Sequence, residues 1–212
     1  AYDRIKSLKG KFKLADRLPV DVTKARSTVG KEINKKIAVK AAEAALIAND
    51  PKSLLPVSME TKLAVSRLAV EDVEEIIRIA EGIGPNYANA FNDFVLTLKG
   101  SGYDVLEFEA GGEVPTERLI LAVGENYPLP GKSLDLHAQI QRLEQIKESN
   151  NHEQIIYIGL KDPYDLNSVK TDAYISAIGS NISNIRAVVN LLTGEAEANG
   201  ELPVSPIKTK QP

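Results

Sequence analysis

Three short runs of almost uninterrupted apolar residues constrain the fold of this chain most strongly. They cover residues 119–123, 155–160 and 173–178. Runs of this length without polar alternation are typical of β-strands that are covered by helices on both faces, as in parallel sheets. We therefore expect these three segments to form the centre of a parallel β-sheet.

Segments with helical periodicity separate these runs. Apolar residues recur three and four positions apart over residues 136–146 and 182–192, and two further apolar runs lie at residues 62–68 and 103–108. Strands that alternate with helices indicate βαβ units around a parallel sheet. The predicted fold class is α/β, a three-layer sandwich around a mostly parallel sheet of about five or six strands, preceded by a helical arm.

The first forty residues differ from the remainder in charge and pattern. They hold 12 Lys or Arg and four acidic residues, a net charge of +8, whereas the whole chain of 212 residues carries −3. Ile5, Leu8 and Phe12 lie at helical spacing with no capping residue before the first turn, as if the helix had been cut from something longer. We predict a helical arm and linker at residues 1–27, with the linker at 15–27, an α/β sandwich domain at 28–206 and a tail at 207–212.

Composition argues against several classes of protein. Without cysteine there can be no disulfide, thiolate metal site or cysteine nucleophile. No apolar run approaches the roughly 18 residues of a membrane span, so none is expected. His137 and His152 lack partners at metal-ligand spacing, and we predict neither a metal site nor a cofactor. The basic arm has only Tyr2 and Phe12 as aromatic residues and no nucleic-acid motif, so nucleic acid is not an expected partner.

One segment partly matches a phosphate-binding loop. Gly131-Lys132-Ser133 follows an apolar strand and precedes a helix, which is the context that such a loop requires. The motif needs a glycine five positions before Gly131, where this chain has Asn126, and Pro128 and Pro130 remove backbone N–H groups that would bind phosphate. We therefore interpret this segment as a proline-stiffened loop that precedes a helix. A nucleotide-binding enzyme remains a less favoured alternative function.

Polar residues follow two of the predicted central strands. Open α/β sheets bind ligands at the carboxyl ends of their strands, so these residues could form a rim that contacts a sugar or a neighbouring domain. The competing interpretation is that Asp162 and Asp165 cap a turn or short helix, with Tyr164 packed beneath. The substrate-rim candidates are Glu125, Asn126, Tyr127, Asp162, Tyr164 and Asp165.

Five pieces of the sequence form a recognisable series. In order, they are residues 4–14, residues 41–50 with 54–57, Gly124-Glu125, Gln139, and residues 162–166, which read Asp-Pro-Tyr-Asp-Leu. The series resembles the second, non-barrel domain of family 3 glycoside hydrolases, in particular the β-N-acetylhexosaminidase branch. The first piece looks like the closing helix of that family's catalytic barrel, and the last matches the hexosaminidase form of a strand-end loop.

The resemblance implies chemistry that this chain does not itself carry. Members of the family are retaining glycosidases with a carboxylate nucleophile and an acid/base group. In the hexosaminidase branch both groups lie on the barrel, and the glutamate that serves the glucosidase branch has no match within residues 126–133. We therefore predict no catalytic residue here, and we interpret the arm as the remnant of a junction with a missing N-terminal catalytic barrel.

The function that the resemblance implies is that of a non-catalytic C-terminal domain. It would brace the barrel, which is the expected partner, and could wall one side of a pocket that holds a glycan. The whole enzyme would act on peptidoglycan fragments or related glycans, and the resemblance favours a secreted or cell-wall location. The isolated chain is expected to be inactive. A free-standing α/β module that binds a small ligand or glycan remains the alternative.

Overall fold

The computed structural model describes residues 1–14, 21–69, 90–115, 117–125, 136–150, 154–160 and 169–202. The chain divides into two compact units, residues 1–36 and residues 37–212. The helices within the described ranges are α1 (Tyr2–Lys11), α2 (Val22–Thr28), α3 (Glu32–Ala45), α4 (Ala90–Gly100), α5 (Leu136–Ser149) and α6 (Ile182–Thr193). The strands are β1 (Ile47–Asn49), β2 (Lys62–Arg67), β3 (Val105–Glu107), β4 (Arg118–Glu125), β5 (Ile155–Leu160) and β6 (Ala173–Ser176).

The first unit consists of short helices with exposed apolar residues. The side chains of Ile5 and Leu8 on α1, and of Phe12 directly after it, are all more than half exposed. Asp21 begins α2, because its carboxylate accepts hydrogen bonds from the backbone N–H groups of Thr23 and Lys24 at 2.9 and 3.1 Å. A helix therefore lies within the segment predicted as a linker, and a capping aspartate explains where it starts.

The second unit is built on one six-stranded sheet with the strand order β1-β6-β5-β4-β2-β3. All neighbouring strands run parallel except β1, which pairs antiparallel with β6 at one edge. This arrangement confirms the predicted α/β fold, with β4, β5 and β6 inside the sheet. Strand β1 was not predicted, because its residues continue an alanine-rich helical pattern.

Side chains alternate between the two faces of the sheet and form two buried clusters. On the first face, strand residues such as Val65, Leu121, Ile156 and Ile158 pack with α4 and α6, including Phe94, Leu98, Ile185 and Val188. On the second face, Ala64, Ile120, Ala122 and Tyr157 pack with Leu143 and Ile146 of α5. The helices thus cover both faces, which is why the central strands read as continuous apolar runs. Within the described residues, no helix is both long enough and apolar enough to cross a membrane.

Asp172 joins the amino ends of β5 and β6. Its carboxylate accepts hydrogen bonds from the Ile155 N–H at 2.8 Å and from Lys52 Nζ at 2.5 Å. Burial alone would raise the pKa of the Asp172 carboxyl, but the hydrogen bonds from Lys52 and Ile155 and the nearby lysine charges hold it below its ordinary value of 3.8. The folded protein therefore favours the ionised form.

We expect Asp172→Asn to lower the free energy of unfolding at pH 7 by about 1 kcal/mol. Because the folded-state pKa is lowered, this stabilisation is complete above the unfolded-state pKa and is lost as the pH falls through the folded-state value. Urea denaturation followed by circular dichroism at pH 7, 5, 4 and 3 checks this. The difference between the two proteins should shrink towards pH 3, and a constant difference at every pH would contradict the assignment.

Candidate functional site

The sheet has one topological switch point, between β2 and β4, within the described residues. These strands are neighbours, but the chain leaves β2 towards β3 on one side and leaves β4 towards β5 on the other. The connection after β2 includes α4 on the first face, whereas α5 follows β4 on the second face. Divergent connections of this kind leave a crevice at the carboxyl ends of the two strands, where open α/β sheets bind ligands.

The last residues of β2 and β4 form an ion pair at the carboxyl ends of these strands. Arg67 Nη2 donates to Glu125 Oε2 at 2.8 Å. Arg67 is paired in register with Val123, so Glu125 lies two residues further along β4 and points to the same face. The Glu125 side chain is 1% exposed and the Arg67 side chain 33%. The carboxylate is thus buried behind a partly exposed guanidinium.

Gln139 of α5 holds the main chain of Glu125 in place. Its Oε1 accepts from the Glu125 N–H at 2.9 Å, and its Nε2 donates to the Glu125 carbonyl oxygen at 2.6 Å. Gln139 is itself 1% exposed. Because the side-chain amide satisfies both backbone groups, it replaces the pairing that a neighbouring strand would provide. The main chain at the end of β4 is therefore held in a defined position.

A second arginine braces the same end of β2 from the other face. Arg142 of α5 donates through Nη2 to the Arg67 carbonyl oxygen at 3.4 Å and to Glu109 Oε2 at 2.9 Å. The Glu109 side chain is 90% exposed. The carboxylate of the Arg142–Glu109 pair is therefore exposed to solvent, whereas the carboxylate of the Arg67–Glu125 pair is buried.

The ion pair leaves two buried polar atoms unused. Glu125 Oε1 and Arg67 Nε are each inaccessible to solvent and have no hydrogen-bond partner in the described part of the chain. Each is one bonded carbon away from the atoms that form the ion pair. Buried polar atoms are normally hydrogen-bonded, so an acceptor and a donor left open at one position require an explanation.

On the face of the sheet opposite to the Glu125 side chain, Gly124 near the end of β4 packs against the ring of Tyr157. Gly124 and Gly159 are paired in register, and the rings of Tyr157 and Tyr174 stack beside them with centroids 5.4 Å apart. A Cβ atom at Gly124 would lie 2.0 Å from Tyr157 Oη and 2.6 Å from Cζ. No side chain larger than hydrogen fits between β4 and the Tyr157 ring without displacing it.

We expect Gly124→Ala to destabilise the protein by about 1–3 kcal/mol, because the new methyl group must displace a closely packed tyrosine. Gly100→Ala is the matched control, since nothing lies within 4 Å of a Cβ placed there. It should change stability by less than about 0.5 kcal/mol. Thermal unfolding followed by circular dichroism compares the two variants, and equal effects would show that the close contact at Gly124 does not constrain the fold.

Of the sequence-predicted rim residues, only Glu125 falls among those that the structure describes. It ends β4 at the switch point, and its role in contacting a substrate stays a prediction. Asn126, Tyr127, Asp162, Tyr164 and Asp165 lie outside the described residues, as does the Gly131-Lys132-Ser133 segment.

The sequence interpretation missed Arg67. A charged residue at the end of the apolar run 62–68 was the available signal, since it marks the same end of the sheet as Glu125. His137 is an exposed surface residue whose Nε2 lies 3.1 Å from Gln141 Nε2. Among the described residues, no three His, Cys, Asp or Glu side chains are grouped so that they could hold a metal ion.

Solved structures with the same architecture come from carbohydrate-active enzymes. The β-glucoside phosphorylase BglX bound to 2FGlc matches with a TM-score of 0.68 and 21% identity, over 96% of this chain and 37% of its own. A glycoside hydrolase family 3 β-N-acetylglucosaminidase from Paenibacillus sp. str. FPU-7 matches with a TM-score of 0.66 and 16% identity, over 95% of this chain and 38% of its own. A fungal multi-domain β-N-acetylglucosaminidase of the same family matches with a TM-score of 0.58 and 16% identity, over 91% of this chain and 21% of its own.

These matches establish a shared fold. The chain has the α/β fold found within solved family 3 glycoside hydrolases, and it spans a little over a third of the length of the first two structures. No protein-family model and no curated protein sequence matches it.

Proposed function

We propose that this chain is the non-catalytic C-terminal α/β domain of a family 3 glycoside hydrolase, whose bond-breaking groups lie on a catalytic barrel that precedes it in the same polypeptide. One observation carries the proposal. Nearly the whole chain, 95–96%, aligns within solved chains of which it covers only 37–38%. A domain that matches from end to end inside much longer enzymes fits the role of one part of such an enzyme.

The carboxylates of the described residues support a non-catalytic role. Retaining glycosidases need two carboxyl groups about 5–5.5 Å apart on either side of the scissile bond. Within the described ranges, Glu125 is the only buried carboxylate, and one of its oxygens is already bound to Arg67. A lone carboxylate held by a guanidinium supplies at most one of the two required groups.

The finer assignment is to the β-N-acetylhexosaminidase branch, acting on peptidoglycan fragments or related glycans. Two of the structural matches are family 3 β-N-acetylglucosaminidases, which supports the branch. The Asp-Pro-Tyr-Asp-Leu sequence at residues 162–166 supports it independently. In this proposal the domain braces the barrel, and the carboxyl end of its sheet walls one side of the pocket.

The test compares the chain of 212 residues with the longer polypeptide that carries the barrel. The substrates are p-nitrophenyl N-acetyl-β-glucosaminide and p-nitrophenyl β-glucoside. We expect no nitrophenol release by the 212-residue chain and faster hydrolysis of the first substrate by the longer polypeptide. Turnover by the shorter chain would overturn the domain assignment. A preference of the longer polypeptide for the glucoside would overturn only the branch.

A further inference from the structure

Residues 198–200 lie against the start of β1, and we call this segment the clasp. The Ala198 side chain packs against the buried cluster on the first face of the sheet. Gly200 donates its backbone N–H to the carbonyl oxygen of Leu46 at 2.8 Å, directly before β1 begins. Leu46 is 0% exposed, so the clasp is attached to a well-packed part of the second unit.

Position 200 requires glycine because main-chain atoms lie too close for a side chain. A Cβ atom there would stand 2.6 Å from the carbonyl oxygen of Ala45 and 2.7 Å from that of Leu46. Both are backbone atoms, which cannot rotate away as the end of a long side chain can. The residue before Gly200 is Asn199, whose side chain is exposed. The packing of the clasp therefore keeps a glycine directly after an exposed asparagine.

An asparagine that precedes glycine can lose its side-chain amide without an enzyme. The backbone nitrogen of the glycine gives up its proton and attacks Cγ of the asparagine, where glycine has no side chain to hinder the approach. The new N–Cγ bond forms, the Cγ–Nδ2 bond breaks, and Nδ2 leaves with a proton as ammonia. Water then opens the resulting succinimide ring at either carbonyl group. One opening gives aspartate, and the other gives isoaspartate, in which the main chain runs through the side-chain carbons.

In the folded chain, the hydrogen bond of Gly200 opposes this reaction. The attacking nitrogen must lose its proton, and that same N–H group is bound to the Leu46 carbonyl oxygen. Attack also requires rotation of the main chain at Asn199, which the contacts of Ala198 and Gly200 on either side restrict. The reaction must therefore wait for a local opening of the clasp.

We propose that Asn199-Gly200 is a site of spontaneous deamidation that is held in check by the clasp. The isoaspartate product then releases the clasp, because it adds a methylene group to the main chain directly before Gly200 and displaces that residue from Leu46. The aspartate product adds a charge but keeps the length of the main chain, so it leaves the clasp in place. Water is the co-reactant that the reaction needs. The inference does not rest on the proposed function.

The experiment is incubation of the 212-residue chain under mildly alkaline conditions, folded in buffer and unfolded in guanidinium chloride, with peptide mass spectrometry over time. We expect the peptide with residue 199 to gain the mass that replaces an amide by an acid, and to separate into aspartate and isoaspartate forms. The reaction should be at least about ten-fold slower in the folded chain, because the clasp must open first. Asn190 precedes leucine and donates through Nδ2 to Glu43 Oε1 at 2.7 Å, so it should stay unmodified in the folded chain.

Ala198→Gln tests whether the clasp controls the rate. A longer polar side chain cannot replace the methyl group against the buried cluster, so the clasp should open more often. The folded-state rate, divided by the unfolded-state rate of the same variant, should rise at least about three-fold. Glu197→Gln places the same residue at the exposed neighbouring position and is the matched control, with an unchanged ratio. Circular dichroism confirms that both variants are folded, and if Ala198→Gln is not, the comparison in the unmodified chain still decides the point.

Asn199→Asp separates the effects of the two products. It carries the charge of the deamidated protein on an ordinary main chain, so hydrogen exchange at the Gly200 amide should match that of the unmodified chain. The isoaspartate fraction of the incubated protein should exchange this amide at least about ten-fold faster, because its hydrogen bond to Leu46 is lost.

Each part of the inference has a result that would refute it. No mass gain at residue 199, even in the unfolded chain, would remove the site. Equal rates in the folded and unfolded chain, or an unchanged ratio in a folded Ala198→Gln variant, would refute control by the clasp. A Gly200 amide as well protected in the isoaspartate form as in Asn199→Asp would refute the release. These results leave the proposed function intact, because the hydrolysis assay tests that separately.

Discussion

Replacing Arg67 with methionine is expected to lower the free energy of unfolding by about 3 kcal/mol. The substitution removes the partner of Glu125, whose side chain is 1% exposed, and so leaves a carboxylate buried without compensation. The effect should lie at the lower end of the range for buried pairs, because Arg67 is itself one-third exposed. Urea denaturation at pH 7, followed by circular dichroism, measures the change.

A second variant separates the penalty of an unpaired buried carboxylate from the net contribution of the ion pair to stability. Arg67→Met combined with Glu125→Gln removes both charges, and most of the lost stability should return, because an uncharged amide is far cheaper to bury than a carboxylate. Lys99→Met is the control, since Lys99 pairs with Glu107 at 2.8 Å while both side chains remain more than 40% exposed. That change should cost less than about 1 kcal/mol. A double variant no more stable than Arg67→Met would contradict the proposed burial penalty.

The central strands could be predicted from the sequence because burial on both faces removes polar alternation. The run 155–160 coincides with β5, Ile155–Leu160. Strand β1 could not be predicted in this way, because its three residues become a strand only through pairing with β6, which lies more than a hundred residues later in the chain. For α2 a local signal was present, since Asp21 is a capping residue, but the preceding proline favoured a linker.

The candidate site was less accessible to sequence reasoning than the fold. Glu125 was recognisable as a carboxylate at the end of an apolar run. Its pairing with Arg67 was not, because these residues are 58 positions apart and meet only when β2 and β4 are neighbours in the sheet. Strand order depends on packing across the whole sheet, which no local pattern reports. Gln139 entered only through the family resemblance, although its contacts with Glu125 are explained by the geometry of α5.

Phe94→Ala is expected to destabilise the second unit by about 3–5 kcal/mol. Phe94 lies on α4, is 0% exposed, and belongs to the cluster that joins α4 and α6 to the first face of the sheet. Truncation removes buried ring surface and leaves a cavity that the packed helices can fill only in part. Because α4 lies in the connection that follows β2, we expect this loss to weaken the scaffold on which Arg67 is held.

Phe12→Ala is the matched control for the phenylalanine substitution. The Phe12 side chain is 53% exposed, so its removal should change the stability of the second unit by less than about 0.5 kcal/mol. Chemical denaturation of both variants under identical conditions gives the comparison. A large loss with Phe12→Ala would show that the exposure of a phenylalanine side chain does not predict the cost of its truncation in this protein. A small loss with Phe94→Ala would contradict the assignment of this cluster as the core that positions the carboxyl ends of β2 and β4.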